Sequence, residues 1–389
     1  MHSTPPRRKR AATRLGLAVL ATVVALGLCE LTLRIFVEPS RPPLGDLGYA
    51  KGDGTPITAE EAVAQKLLVE VAPDGAQAPP RKRLTWAPNQ TFFLCYTDAD
   101  QLRRDWFDAK GRVPVHINRF GLRERDEITA DKPAGQKRIL CLGDSFTFAW
   151  GIPIEKGWVR LLEDRLCATG KDIRTVNCGA AGTVCVDEYW WGLEHRFHVF
   201  DPDAVIVTLC LNDLIPSNGL TVIGPSHATG IRFLDLICGA LGRSRLDLDP
   251  ARDWVDELLA LPKTQGEAAG LYHVSEKPFE AMWSQRVPQH CLRAMKDWCD
   301  ERKIKFAAIL WPFLQGLGEG RYYPFQKLHD LVAAYCKKED IPFLDVLPAL
   351  AKTRAEDLWI TPADLHANPL AQSLAIRLIE PFVASHCGF

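Results

Sequence analysis

From residue 137 onward, short apolar runs alternate with longer stretches whose apolar positions recur every three to four residues. The runs at 138–142 (RILCL), 173–177 (IRTVN), 204–211 (AVIVTLCL), 306–311 (FAAILW) and 343–346 (FLDV) read as strands. Several are apolar at nearly every position instead of alternating, as parallel strands covered on both faces are. Helical patterns fall between them at 158–169, 186–197, 288–302 and 324–338, and a last helix is expected at 369–384. This alternation predicts an α/β fold, a three-layer α/β/α doubly wound (flavodoxin-like) domain with a mainly parallel five-stranded sheet. In such sheets the ligand sits beyond the carboxyl ends of the strands, so residues just after a strand are the candidates for chemistry.

The N-terminus follows another pattern. Residues 15–29 (LGLAVLATVVALGLC) carry no charge, and the apolar run continues past Glu30 and Arg34 to Val37, 23 residues in all. That is long enough for a transmembrane helix, and Glu30 and Arg34 are spaced to pair on one of its faces. Arg7, Arg8, Lys9, Arg10 and Arg14 precede it with no acid among them. The expected arrangement is a basic cytoplasmic N-terminus at 1–14, a transmembrane signal anchor at 15–37 and a periplasmic or otherwise extracytoplasmic body. No A-x-A cleavage site closes the apolar run, and Leu28 is bulky where a lipoprotein site before Cys29 takes a small residue. Residues 38–136 are expected to form a stalk and a small N-terminal extension. The stalk is rich in Pro, Gly and Ala to about residue 88, with one short helix near 59–68. At 89–125 aromatic and β-branched residues (TFFLCY, VPVHINRFGLR) suggest a few strands capping the main domain.

Composition narrows this picture. Hydrophobic residues make up 47% and charged residues 24%, which suits a globular chain and not a disordered one. Basic and acidic residues number 47 and 48, so there is no bulk field to grip nucleic acid. Setting aside the five N-terminal positive charges leaves the rest of the chain at −6 from a total of −1. Twelve cysteines include no C-x-x-C pair, so no zinc ribbon or thioredoxin-type motif is present. Cys141 and Cys210 lie in strand-like runs; disulfides among Cys167, Cys178, Cys185, Cys291, Cys299, Cys336 and Cys387 are open to a chain outside the cytoplasm.

Candidate chemistry sits at four strand ends. The first strand runs into Gly143-Asp144-Ser145-Phe146, which exposes a serine hydroxyl at a strand-to-helix turn. That hydroxyl is a weak nucleophile unless a base lies within hydrogen-bond reach. G-x-S-x-G is absent, so this is not the α/β-hydrolase elbow. Near the C-terminus, Asp364-Leu365-His366 precedes the last helix, with the aspartate placed to hold the second ring nitrogen and fix the tautomer. After the second strand, Asn177-Cys178-Gly179-Ala180-Ala181-Gly182 is a small-residue loop whose N–H groups can approach an oxyanion. After the third, Leu211-Asn212-Asp213 offers the Asn212 amide to the same oxygen. Singly each is an ordinary turn; together they occupy the expected edge of one sheet.

The order GDS, glycine loop, N-D and D-x-H resembles the SGNH (GDSL) hydrolase superfamily, and the segments at 138–151 (RILCLGDSFTFAWG) and 361–375 (TPADLHANPLAQSLA) are especially similar to its membrane-anchored bacterial members. The likeness runs from Lys137 to the C-terminus, a hydrolase domain at 137–389, and extends weakly to 116–123 (HINRFGLR). It implies a serine esterase or lipase-like hydrolase with Ser145 as nucleophile, His366 as base and Asp364 as its partner. The implied oxyanion hole is the Ser145 N–H, the Gly182 N–H and the Asn212 side chain, with Gly179 the other candidate for the glycine position. No metal or organic cofactor is implied. Cys210 stands where the third block usually has glycine, and one residue, not two, separates Asp364 from His366.

The expected substrate is an ester, on an acylated glycan or a lipid, at the outer face of the membrane. An O-acyltransferase acting on a surface glycan, or a catalytically silent binder of an envelope polymer, are the alternatives. Residues 217–277 fit none of the repeating units and read as a lid or substrate wall with an amphipathic stretch at 254–261, in which Trp254 reads as a packing residue. His195 and His198 read as a solvated helix face and Trp190-Trp191 as packing residues; Asp345 is a lone carboxylate with no evident partner.

Overall fold

A computed structural model describes residues 7–36, 49–50, 56–57, 68–70, 84–96, 104–179, 186–214, 283, 287–323, 325–361 and 364–388. The expected lid at 217–277, the helix near 59–68 and Gly182 lie outside these residues, as does the side chain of Asn212.

Helix α1 (Arg7–Phe36) runs through Glu30 and Arg34 without a break. Its segment Gly16–Leu33 is long and apolar enough to cross a membrane, and none of it is buried against the rest of the chain. The hydroxyls of Thr22 and Thr32 turn back onto the carbonyls of Ala18 and Leu28, at 2.9 and 2.8 Å, so neither needs an outside partner.

Within the expected extension, β1 (Gln90–Cys95) pairs antiparallel with β2 (Arg112–Ile117). Along β2 every second residue is buried, placing Val113, Val115 and Ile117 in a core with Trp86, Phe92 and Leu94. Two shorter antiparallel pairs, Tyr49–Ala50 with Pro56–Ile57 and Leu68–Glu70 with Leu84–Trp86, fall where the sequence predicted only a stalk.

The main sheet contains β3 (Lys137–Gly143), β4 (Ile173–Gly179), β5 (Ala204–Cys210), β6 (Lys305–Trp311) and β7 (Phe343–Asp345). Every pairing is parallel and the order across the sheet is β4-β3-β5-β6-β7. This is the doubly wound order whose reversal point lies between its first and third strands. All seven residues of β5 are buried, as the unbroken apolar run requires of a strand covered on both faces. The covering helices are α3 (Trp158–Cys167), α4 (Val186–His195), α5 (Val287–Glu301), α6 (Gln326–Lys338) and α7 (Pro369–Cys387). Helix α3 packs with α7 and α4 with α5.

The tight turn of Asn118 and Gly121 sends the next two residues inward. Asn118 accepts from the Phe120 and Leu122 N–H groups at 2.9 and 3.1 Å, and Gly121 takes φ +75°. Glu124 then accepts from the Asn177 N–H at 2.6 Å and pairs with Arg160 of α3 at 3.1 Å. Arg160 also meets Glu163 at 3.3 Å, and Glu163 accepts the Thr175 N–H at 2.7 Å. This cluster ties α3 and the loop after β2 to β4. Burial lifts the Glu124 carboxyl above its ordinary value, against the pull of Arg160 and Arg174.

The cysteines expected as possible disulfide partners are free thiols wherever they are described. Cys178, Cys291, Cys299, Cys336 and Cys387 are buried, and Cys167 is half-buried. They fill apolar contacts in the main core instead of crosslinking it. Asp345 does have a partner: it holds His329 Nδ1 at 3.0 Å, while the Tyr323 hydroxyl meets Nε2 at 3.1 Å. His195 stacks on Trp191 at 5.1 Å, and its Nδ1 lies 3.0 Å from the Trp191 carbonyl.

Arg160→Met should lower stability by about 3 kcal/mol, because it removes the fully buried partner of Glu124 and Glu163 and leaves them only Arg174 and Arg125, which lie nearer the surface. The check is the shift of the denaturant midpoint, and an unchanged midpoint would mean that the cluster holds nothing.

Candidate active site

Gly143 ends β3 beside the Thr208 carbonyl of β5. A methyl group there would strike that carbonyl and the Thr147 hydroxyl. Asp144 caps the short helix α2 (Ser145–Phe148), its Oδ1 accepting the Phe146 N–H at 2.9 Å. Ser145 is therefore the first residue of the turn and only 8% exposed. The turn closes at Ala149, which takes φ +63°, and the Trp150 N–H returns to the Ser145 carbonyl at 2.9 Å. A left-handed alanine is strained by roughly 1–2 kcal/mol. Arg123, buried beneath it, donates to the carbonyls of Phe148, Ala149 and Ile152 and holds the conformation. Burial pushes the Arg123 guanidinium down to about 10, so it stays charged at neutral pH.

Gly179, at the end of β4, packs directly on this turn; a methyl there would fall on the Phe148 N and the Thr147 backbone carbon. Its N–H donates to Asn177 Oδ1 at 3.0 Å and is already engaged. Of the two candidate glycines, then, one is used in packing and the other, Gly182, lies in 180–185 outside the described residues. The turn Leu211–Leu214 follows β5 directly. Asp213 fixes it: one carboxylate oxygen accepts the Cys210 N–H at 2.8 Å and the other the Tyr189 hydroxyl at 2.9 Å. The backbone of Asn212 is thereby held at the same sheet edge as Ser145. Cys210 is buried, and its N–H serves Asp213. Asp144 Oδ2 has no hydrogen-bond partner among the described residues, and burial pushes this carboxyl up to about 6.

Asp364 and His366 lie on β9 (Asp364–Ala367), which pairs antiparallel with β8 (Trp359–Thr361). Asp364 Oδ1 meets His366 Nδ1 at 2.6 Å and also accepts the His366 N–H at 3.1 Å. Asn368 then caps α7, accepting from the Leu370 and Ala371 N–H groups, with Pro369 in the first turn. The hairpin reaches α2 through aromatic rings: His366 lies 5.9 Å from Phe146 and 5.9 Å from Trp150. Gln372 of α7 adds a link, donating to the Phe146 carbonyl at 3.4 Å and accepting the Trp158 N–H at 3.0 Å.

Burial alone would depress His366, but the charge and hydrogen bond of Asp364 raise its pKa above the ordinary 6.5. Burial alone would raise Asp364; the His366 charge, with bonds from His366 and Tyr96, holds it below 3.8. Two donors to Asp364 were not expected from the sequence. Tyr96 Oη donates to Oδ2 at 2.8 Å and Trp150 Nε1 at 3.2 Å. Trp150 belongs to the block that opens with the serine turn, but nothing in that block pointed it at Asp364; for Tyr96 the only hint was aromatic enrichment upstream of residue 125. Among the described residues, no group of three or more His, Cys, Asp or Glu is placed to hold a metal ion.

A family model described as the GDSL-like lipase/acylhydrolase family matches residues 141–374, more than half of the 389-residue chain. The chain belongs to this family of ester-cleaving hydrolases, as its four sequence blocks led one to expect. An arylesterase of Vibrio mimicus is 35% identical over 89 residues, 22% of this chain and 42% of that protein, so the match spans less than half of the relative's length. Among solved structures, the esterase EstA from Pseudoalteromonas sp. is 16% identical with a TM-score of 0.38, over 65% of this chain and 100% of that one. A catalytic mutant of Axe2, an acetylxylan esterase from Geobacillus stearothermophilus, is 16% identical with a TM-score of 0.36, over 65% and 94% of the two chains.

A base must be neutral to accept a proton, and the His366 pKa is raised. With His366 as the base that the sequence resemblance implies, ester turnover should fall on the acid side with a midpoint above pH 6.5. Asp364, held low, stays ionised throughout that range. The pH profile of kcat/KM checks this; a midpoint below the ordinary imidazole value would contradict the assignment of His366 as the titrating base.

Proposed function

We propose that the chain is a membrane-anchored serine esterase that removes an acyl or O-acetyl group at the outer face of the membrane. The observation that carries this reading is the 2.6 Å bond between Asp364 and His366 Nδ1, on the hairpin that meets the turn bearing Ser145. With Nδ1 committed to the carboxylate, Nε2 is the ring position left to act as base.

Ser145 Oγ attacks the ester carbonyl carbon as its proton passes to His366 Nε2. The resulting oxyanion is held by the N–H groups of Ser145 and Gly182 and the side-chain amide of Asn212. Collapse expels the alcohol, which takes the proton from His366, and leaves an acyl group on Ser145. Water then attacks, giving its proton to His366; the carboxylic acid departs and Ser145 recovers its proton. Asp364 stabilises the imidazolium in both halves. The basic residues before Gly16–Leu33 support a cytoplasmic N-terminus, with 38–136 as stalk and extension and 137–389 as the hydrolase domain outside. An acylated glycan or a lipid is the substrate class within reach there.

In the full chain in detergent, Ser145→Ala should reduce turnover of a short-chain aryl ester by at least about 10³-fold, and Asn212→Ala by about 10²–10³-fold. Activity that survives Ser145→Ala would remove the nucleophile assignment. Acetyl transfer to an added oligosaccharide in preference to water would make the protein an O-acyltransferase built on the same groups.

A further inference from the structure

The two oxygens of Asp364 face different ways. Oδ1 is given to His366, while Oδ2 receives Tyr96 Oη at 2.8 Å and Trp150 Nε1 at 3.2 Å. Tyr96 directly follows β1, in a segment upstream of residues 141–374 that the family model matches. Its ring stacks on Phe107 with centroids 4.7 Å apart and planes 9° from parallel. Gly151 takes φ +70° and leaves open the space the hydroxyl needs, since a methyl there would fall on both Tyr96 Oη and Ile360 Cδ1.

The same segment grips both halves of the site. Arg104 donates to the carbonyls of Ile360 and Trp359 on β8, at 2.9 and 3.2 Å. Trp106 Nε1 donates to the Gly151 carbonyl at 3.2 Å, just beyond α2. Phe148 of α2 is buried in the core of the β1–β2 hairpin and stacks on Trp86 at 5.5 Å. The hairpin thus joins the serine turn to the strand pair that carries Asp364 and His366.

We propose that Tyr96 and Trp150 are positioning residues that act through Asp364, and that the segment bearing Tyr96 is a working part of the catalytic unit. The proposal rests on the reading of Asp364 and His366 as the base pair. A terminal carboxylate torsion is broad, so an aspartate bonded through one oxygen swings readily. Two donors on Oδ2 pin the plane and aim Oδ1 at Nδ1. They also share the carboxylate charge, because hydrogen bonds to an anion stabilise it and lower its basicity. A less basic Asp364 holds the imidazolium proton less tightly.

The test uses the full chain and a short-chain aryl ester, with turnover normalised to the fraction of serine labelled by a fluorophosphonate. Tyr96→Phe keeps the ring and removes the donor. It should lower kcat about tenfold, leave KM within about twofold and move the acid limb of the pH profile to higher pH. Trp150→Phe removes the other donor to the same oxygen and should act in the same direction, which covers the case of a poorly folded Tyr96→Phe. Unchanged kcat and acid limb in these variants, beside an inactive Asp364→Asn, would overturn the positioning role and leave the base pair standing. A lowered melting temperature with an unmoved acid limb would likewise overturn it, reducing Tyr96 to packing. Wild-type turnover in Asp364→Asn would overturn the base-pair reading, and this proposal with it.

Discussion

A carboxylate 14% exposed must have its charge answered from within the protein, and much of the site's architecture follows from how Asp364 meets that demand. Its donors are His366, Tyr96 and Trp150, and the latter two lie 268 and 214 residues away along the chain. They converge only if the β1–β2 hairpin, the turn after β3 and the β8–β9 pair dock on one another. Gly151 is the point where all three come close, and a side chain there would separate them.

Behind this front, the sheet supplies position and the buried ions supply rigidity. Gly143 and Gly179 let the serine turn press against β5 and β4, so Ser145 sits at the reversal of strand order where β3 and β5 part. Glu124, Arg160 and Glu163 lock β4 to α3 from the other side. Such clusters add little net stability over a well-packed apolar core, but they penalise any shift that separates their members. Arg123 does the same for the strained Ala149 with neutral carbonyls as partners. The short motif HINRFGLRE therefore serves two ends: Arg123 reaches the serine turn and Glu124 reaches β4.

Much of this was readable in advance, for identifiable reasons. The five strands emerge within a few residues of their expected ends because strands covered on both faces are apolar at nearly every position. Helix ends were less legible. The pattern at 186–197 runs past His195, where α4 stops and a separate turn, Phe197–Phe200, begins. Asp364 and His366 were legible because they are neighbours on one strand, and a spacing of two suffices to bring them together. The partner of Asp345 was not, because His329 comes from a helix and Tyr323 from the loop before it.

The sequence by itself determined the alternation of elements, the apolar N-terminal helix and the residues left at the strand ends. Each of these rests on local periodicity or on adjacency along the chain. Only the tertiary structure decided that the Gly179 N–H is already engaged, that Arg160 answers Glu124, and that a tyrosine outside the family's span holds Asp364. Those outcomes depend on which distant groups share a buried space, and a buried charge or donor draws its partner from whatever the fold brings within about 3 Å.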